Sequence, residues 1–263
     1  RDALPLPFHR GDVDALIGMM APYVFYPLQT KLRDLPTFDN RPILSLMEKV
    51  RGCSSVCADD QRGAYDAASH LLALGHRHLL LFVDPEQRQV ENSRQSGVSQ
   101  ALCEFDLNPA QYLHVYTLPH IPGTWLDPDM TAFTTADGEV PPAEADARHA
   151  LATYLQAHPE ITALVAQNDT NARHAWYVLN ALNLRVPEDM SLIGFDDTDP
   201  ITDEHGRNIL TSVRIPLRQI GQAAGRCIIR HVENPELPEE DLVLPVELII
   251  RASTAPPRAM SGE

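Results

Sequence analysis

The chain has 263 residues, 44% of them hydrophobic, which suits a folded protein of one large α/β unit or two lobes. No apolar run approaches the roughly 20 residues that span a bilayer, and no charged-then-apolar leader opens the chain, so neither a membrane span nor a signal peptide is expected. The formal net charge of −15 disfavours contact with DNA phosphates, so we do not expect this segment alone to bind nucleic acid.

Short β-rich runs alternate with helix-like segments in the first part of the chain. The predicted strands are Val13–Met20, Ile43–Met47, Ser54–Ala58 and His78–Val83. Between the last two, Gln61–Leu74 has apolar residues at helical spacing, and Gly75 is a typical helix stop.

The second part of the chain repeats this alternation. The predicted helices are Ser93–Phe105, Ala143–His158, Thr170–Leu182 and Leu217–Glu233, and the predicted strands are Tyr112–Thr117, Ala163–Ala166, Ser191–Phe195 and Leu242–Arg251. Such alternation predicts βαβ crossovers, hence an α/β fold with parallel sheets that carry helices on both faces. The segment His120–Pro142 is irregular, and loops of this length inside a domain are usually functional or mobile.

The four cysteines are scattered along the chain. Cys53 and Cys57 are four residues apart, but no second Cys or His pair follows at zinc-ligand distance. We therefore expect all four cysteines, including Cys103 and Cys227, to be free thiols in a reducing cytosol. We predict neither a metal site nor a cofactor.

Four sequence blocks occur in a characteristic order. They are Asp59–Gly63 with Ala67–Arg77; Arg94–Leu102; Thr162–Ala172 with Val186–Asp197; and Leu210–Val213 with Gly221 and Ala224, closing at Glu247–Thr254. In this order and spacing they resemble the lactose/galactose-repressor (LacI/GalR) family of bacterial transcription regulators. The resemblance runs from about Val13 to Pro256.

The resemblance implies a periplasmic-binding-protein-like fold of type I, in which two Rossmann-like lobes are joined by crossover strands. It also implies a ligand between the lobes and a homodimer. We expect the N-terminal lobe to comprise residues 1–77 and 217–235, and the C-terminal lobe residues 78–216 and 236–257, followed by a disordered tail at 258–263. The family's first strand and its DNA-binding module are expected outside this sequence.

Polar residues at predicted strand ends are the candidate site. In open α/β sheets, ligands bind beyond the carboxyl ends of the strands, and Asn168 and Asp196 fall at such ends. A guanidinium donates and a carboxylate accepts hydrogen bonds, which together match the vicinal hydroxyls of a sugar. By resemblance, Arg94, Asn168 and Asp196 match the ligand-contacting Arg, Asn and Asp of the family. Asp59 or Asp60 could add a contact from the other lobe.

Each of these residues also has a structural interpretation. Asn168 or Asp169 could cap the following helix, with Asp169 or Thr170 favoured as the cap. Asp196 could be a turn residue, and Arg94 a solvated residue at a helix start. Trp125, in the irregular segment, could stack on a sugar ring or be unrelated to binding. The run from His76 to His78 is interpreted as lining a helix end rather than as catalytic.

The leading functional hypothesis is the sensing domain of a bacterial transcription regulator, which binds a sugar-like effector and controls DNA binding by a separate module. The alternative is a solute-binding protein of a sugar transporter. A hydrolase using Asp59, Asp196 and a His is the third possibility, but the sequence contains no G-x-S-x-G, P-loop or G-x-G-x-x-G motif, so no catalytic residue is predicted. The sequence Arg214-Ile215-Pro216 departs from the family, which more often has Gln before this Pro, so the identity of the ligand stays open.

Overall fold

The computed structural model describes residues 6–19, 22–38, 40–83, 88–117 and 142–258. Within these ranges the chain forms, in order, α1 (Leu6–Arg10), β1 (Leu16–Gly18), α2 (Pro22–Arg33), β2 (Ile43–Leu46), β3 (Ser54–Ala58), α3 (Asp60–Leu74), β4 (Leu79–Val83), α4 (Arg88–Glu104), α5 (Pro109–Tyr112), β5 (Leu113–Thr117), α6 (Pro142–Ala157), β6 (Ala163–Ala166), α7 (Asp169–Ala181), β7 (Ser191–Asp196), β8 (Thr211–Arg214), α8 (Leu217–Glu233), β9 (Asp241–Leu244) and β10 (Glu247–Ile249). The predicted α/β class is confirmed. Among the described residues, no helix combines the length and apolar character that a membrane span requires.

The chain divides into two units and passes between them three times. The first unit is Arg1–Asp59 with Pro216–Val246, and the second is Asp60–Ile215 with Glu247–Glu263. The predicted boundaries after residues 77 and 235 differ from these. Helix α3 belongs to the second unit because it packs along α4, and β9 belongs to the first unit because it pairs with β3.

The first unit is built on a four-stranded parallel sheet in the order β1-β2-β3-β9. Helix α8 buries one face at helical spacing, with Ile220, Ala223, Ala224 and Cys227 inside. Within the predicted strand at 13–20, residues 16–18 form β1, and helix α2 was not predicted. Pro27 lies inside α2, and an internal proline removes a helical hydrogen bond, so the sequence argued against a helix there.

The second unit is built on a six-stranded sheet in the order β10-β8-β7-β6-β4-β5. Every pairing is parallel except that of β10 with β8. Strands β4 and β6 are buried along their whole length, as their continuous apolar sequences predict for strands covered on both faces. In this sheet the carboxyl ends of β4, β6 and β7 lie side by side at one edge, and their amino ends lie at the opposite edge.

Helix α3 ends at Gly75, as predicted. Gly75 has a φ of +106°, and its N–H donates to the carbonyl of Leu72 while the N–H of His76 donates to that of Leu71. These two bonds form a Schellman motif, in which glycine is favoured because the left-handed conformation strains other residues. This turn directs the chain from α3 into β4.

One residue of the predicted tail, Arg258, lies among the described residues. Arg258 donates from Nη1 to Asp189 Oδ1 at 2.9 Å, which places the first tail residue against the folded unit. Residues 259–263 lie outside the described residues.

Candidate functional site

The candidate site lies at the carboxyl edge of the second unit's sheet. Arg94 lies on α4, which follows β4; Asn168 follows β6; and Asp196 is the last residue of β7. Parallel topology therefore brings together three side chains that are far apart in sequence, at the edge where ligands bind in open α/β sheets.

Arg94 is a buried cation with two carboxylates beside it. Only 5% of the residue is exposed, and its Nε and Nη2 donate to Asp60 Oδ1 at 3.0 and 2.6 Å. Its Nη2 lies 3.9 Å from Asp196 Oδ1, and its Cζ lies 3.5 Å from the centroid of the Phe195 ring. The ring supports the flat guanidinium from one face, since cations are attracted to aromatic faces. Arg94 is therefore buried, and the alternative interpretation of Arg94 as a solvated residue at a helix start is wrong.

The close contact between helices α3 and α4 sets the position of Arg94 relative to Asp60. A Cβ added to Gly97, one turn after Arg94, would lie 2.1 Å from the carbonyl oxygen of Gln61, the residue after Asp60. Only glycine allows this approach without displacing backbone. The Arg94–Asp60 pair thus depends on Gly97, which has no side chain of its own.

Asp196 occupies an unusual backbone conformation with a perturbed carboxyl group. Its φ is +96° and that of Asp197 is +56°, a left-handed pair in which Asp is tolerated better than most residues but still strained. Burial raises the pKa of Asp196 to about 6; the Arg94 cation opposes this, and the carboxylates of Asp169 and Asp60 add to it. About a third of the side chain stays accessible, so the carboxyl group can meet a ligand.

Asn168 is the N-cap of helix α7. Its Oδ1 accepts from the N–H of Asn171 at 2.7 Å, so the capping interpretation is confirmed. The expectation that Asp169 or Thr170 would be the cap was wrong, since Asp169 is already the first residue of the helix. The cap uses the side-chain oxygen, whereas a ligand would use the amide nitrogen as a donor, so a ligand contact by Asn168 stays a prediction.

Sequence reasoning missed Asp169, which organises the turn after β7. It is 2% exposed; its Oδ1 accepts from Ser212 Oγ at 2.6 Å, and its Oδ2 accepts from the N–H groups of Thr198 and Asp199 at 2.7 and 3.2 Å. Burial raises the pKa of Asp169 to about 6 in spite of these bonds. The only signal in the sequence was its place beside Asn168 at a strand end.

Asp197 is fixed by two arginines. Arg214 donates to it at 2.7 and 2.8 Å, and Arg251 at 2.8 and 3.1 Å. Burial acts to raise its pKa, but the hydrogen bonds from Arg251 and Arg214 outweigh burial and lower it. Ile215, at the position where the family more often has Gln, belongs to the second unit and is 4% exposed.

The remaining candidates fall in different places. Asp60 belongs to the same unit as Arg94, which corrects its expected place in the other lobe. Asp59 lies in the first unit, after β3, where its N–H donates to the carbonyl of Leu244. Trp125 lies outside the described residues, as does most of the irregular segment around it.

The residues from His76 to His78 lie at the opposite, amino edge of the sheet. His76 is 1% exposed, and its ring bonds to Thr162 Oγ1 at 2.8 Å, Ser191 Oγ at 3.0 Å and the carbonyl of Ala255 at 2.9 Å. Arg77 Nη1 donates to the carbonyl of Leu72 in the last turn of α3, as predicted for a residue at the helix end, and to the carbonyl of His76, which follows the helix. Since Asp196 is at the carboxyl edge, His76 cannot serve with it in a hydrolytic site.

Comparison with known proteins agrees with this architecture. A sequence profile of the family described as periplasmic binding protein-like domain matches residues 68–254. The HTH-type transcriptional regulator DegA of Bacillus subtilis (strain 168) is 30% identical over 201 residues, which cover 76% of this chain and 52% of DegA. The HTH-type transcriptional regulator GalR of Escherichia coli (strain K12) is 27% identical over 225 residues, covering 86% of this chain and 54% of GalR. The chain thus spans about half the length of these relatives.

The solved structures extend the likeness to nearly the whole chain. A LacI family transcriptional regulator from Enterococcus faecium, crystallised with bound ribose, superposes with a TM-score of 0.71 at 26% identity, covering 95% of this chain and 82% of that one. The resemblance inferred from the four sequence blocks is confirmed. The chain belongs to the periplasmic binding protein-like domain family and corresponds to the core domain of LacI/GalR-family transcription regulators.

Proposed function

We propose that this chain is the ligand-sensing domain of a transcription regulator and that it binds a small sugar-like effector at the carboxyl edge of the second unit. The arrangement of Asp60, Arg94 and Asp196 carries the proposal. It presents a pre-oriented guanidinium beside a partly accessible carboxylate, the donor and acceptor pair that neighbouring sugar hydroxyls require. The ribose bound to the Enterococcus faecium regulator supports the same ligand class.

Arg94 and Asp196 have complementary roles in this proposal. Arg94 is held by Asp60 and by the Phe195 ring, so little side-chain entropy is lost when it donates to a ligand. Asp196 accepts from the ligand hydroxyls, and such charge-assisted bonds contribute about 1.5–3 kcal/mol each. Asn168 adds donors from its amide nitrogen, while Asp59 and Trp125 stay candidate contacts.

The regulatory part of the proposal rests on the relatives. DegA and GalR are named HTH-type transcriptional regulators, so we infer that the full-length protein acts in the cytoplasm as a homodimer and binds DNA through a module outside this sequence. An effector controls DNA binding only if it binds one conformation of the dimer more tightly than another. The relatives favour this function over a transporter's solute-binding protein and over an enzyme.

The experiment is a thermal-shift and calorimetric screen of the purified chain against pentoses, hexoses, disaccharides and sugar acids. A ligand at 100 times its Kd stabilises the protein by about 2.7 kcal/mol, which is readily measured. We expect Arg94→Ala and Asp196→Asn each to weaken binding by about 10-fold or more, which corresponds to loss of one charge-assisted bond.

The matched control is Arg185→Ala. Arg185 also forms a paired contact with an aspartate, Asp189 at 2.7 and 3.3 Å, but it precedes β7 and so lies at the amino edge. Arg94→Lys retains the buried charge if Arg94→Ala fails to fold, and circular dichroism checks each variant. Undiminished ligand binding by folded Arg94 and Asp196 variants would refute the proposed site. A full-length protein whose affinity for DNA is unchanged by every ligand that binds it would refute the regulatory role.

A further inference from the structure

Three metal-ligating side chains meet at the amino edge of the second unit's sheet. His78 immediately precedes β4, His114 is the second residue of β5, and Glu160 lies three residues before β6. Strand β4 pairs with β5 on one side and with β6 on the other, so the parallel register brings the three residues together. This edge is one strand length, about 16 Å at 3.3 Å per residue, from the candidate sugar site.

The spacing of the ligand atoms fits a tetrahedral ion. His78 Nδ1 lies 3.2 Å from His114 Nε2, His114 Nε2 lies 3.9 Å from Glu160 Oε1, and all three atoms lie within 4.8 Å of one another. Zinc binds imidazole nitrogen at about 2.0–2.1 Å, which places neighbouring ligand nitrogens of a tetrahedron about 3.3 Å apart. The nitrogen pair already has this separation, whereas the Glu160 oxygen lies farther away and would have to move closer to a bound ion.

The surroundings orient these side chains without closing the site. His158 Nδ1 lies 3.0 Å from Glu160 Oε1, and its ring packs against that of His114 with centroids 5.3 Å apart. The ring of Tyr112 lies 4.9 Å from that of His78. The side chain of Glu160 is 33% exposed and that of His114 15%, which is enough for an ion and a water molecule to enter. Partners of this kind commonly hold metal ligands in place.

A second cluster, in the first unit, fits an ion less well. Cys227, His231 and Glu240 also have ligand atoms within 4.8 Å of one another. However, His231 Nδ1 is bonded to the carbonyl of Cys227 at 2.9 Å, and Glu240 is paired with Arg230. Burial also raises the pKa of the Cys227 thiol to about 11, which opposes the thiolate form that binds metals. These contacts already explain why Cys227, His231 and Glu240 lie together.

We propose that His78, His114 and Glu160 form a binding site for Zn²⁺ or a similar divalent transition metal, with water as the fourth ligand. Two imidazoles and a carboxylate are a ligand set that zinc accepts. His158 acts as a positioning residue through Glu160. The bound ion would tie together the amino ends of β4, β5 and the turn before β6, so its role is structural and independent of the proposed sugar site.

The test is a titration of the tag-free chain, stripped with a chelator, with ZnCl₂ in a calorimeter and with CoCl₂ followed by visible absorption. We expect one ion per chain and the d–d absorption bands of tetrahedral Co²⁺. His114→Ala and Glu160→Gln should each weaken binding at least tenfold, and His158→Ala should weaken it about 10- to 100-fold, the usual range for a residue that orients a ligand.

The matched control is His205→Ala, which removes an exposed histidine whose Nε2 lies 3.5 Å from Glu204; among the described residues, no third metal-ligating side chain joins this pair. It should leave the affinity and the cobalt spectrum unchanged. No binding by the wild-type chain would overturn the proposal, because the two histidines would then simply hydrogen-bond to each other. Unchanged binding by folded His114→Ala and Glu160→Gln would also overturn it, since the ion would then lie elsewhere.

Discussion

We expect the ionised carboxyl group of Asp169 to destabilise the second unit above pH 6, and Asp169→Asn to relieve this effect. The carboxyl group is 2% exposed, and burial raises its pKa from 3.8 to about 6. A carboxyl whose pKa is higher in the folded than in the unfolded state binds more protons when folded, so stability falls as the pH rises between these two values. At 1.36 kcal/mol per pKa unit, the loss is about 3 kcal/mol, complete a little above pH 6.

Asparagine preserves the contacts while removing the charge. Its oxygen can accept from the N–H groups of Thr198 and Asp199, and its amide nitrogen can donate to Ser212 Oγ, which accepts as well as donates. The free energy of unfolding of Asp169→Asn, relative to wild type, should therefore rise by up to about 3 kcal/mol between pH 4 and pH 7.

The assay is urea unfolding followed by tryptophan fluorescence at half-unit pH steps. The chain has two tryptophans, and a Trp125→Phe background leaves Trp176, on α7 of the second unit, as the reporter. Asp189→Asn is the control, because hydrogen bonds from Arg185 lower the pKa of Asp189 to about 2, so its effect should be constant from pH 5 to pH 8. Parallel stability curves for wild type and Asp169→Asn would refute the reasoning.

Three further substitutions test contacts within the second unit. Gly97→Ala should force α3 and α4 apart at the Gln61 carbonyl. It should lower the free energy of unfolding by about 1–3 kcal/mol, measured with urea, and weaken ligand binding. Unchanged ligand affinity would mean that this helix contact does not position Arg94. His76→Ala should lower the free energy of unfolding by about 2–3 kcal/mol by removing the three hydrogen bonds of a buried ring, yet calorimetry should show unchanged ligand affinity because His76 lies at the other edge. Arg251→Ala should lower the free energy of unfolding by only about 2 kcal/mol, because Asp197 keeps Arg214 as a partner. An unchanged free energy of unfolding in urea would mean that Arg214 alone is enough to hold Asp197.

The fold could be predicted wherever hydrophobic periodicity decides the structure. Strand β6 and helix α8 have the predicted bounds, because a continuous apolar run and one-sided helical spacing leave few alternatives. Strand β3 also has the predicted bounds, although it begins with two serines. Helix α2 was missed because local propensity argued against it. Strand β8 was missed because its four residues, Thr211–Arg214, gave no clear period. In both cases tertiary packing overrides the local signal.

The candidate site could be predicted only in part, since its chemistry depends on contacts between distant segments. Arg94 and Asp196 were identified through the family blocks and the strand-end rule. Asp169 was not, because its partners Thr198 and Ser212 lie 29 and 43 residues away. The histidine pair at the other edge likewise joins residues 36 positions apart, and no spacing within the sequence indicates it.

The raised pKa of Asp196 predicts a pH dependence of ligand binding. Arg94 is the cation that faces this carboxyl group, and the carboxylates of Asp169 and Asp60 oppose its ionisation. Ligand hydroxyls that donate to Asp196 would stabilise its charged form, so binding should release a proton below pH 6. The affinity for a neutral sugar should accordingly fall up to tenfold per pH unit below about pH 6 and level off above it. Calorimetry at pH 5, 6 and 7 in buffers of different ionisation enthalpy measures this, and Asp196→Asn should abolish the pH dependence. A pH-independent affinity for wild type would mean that the ligand does not bond to this carboxylate.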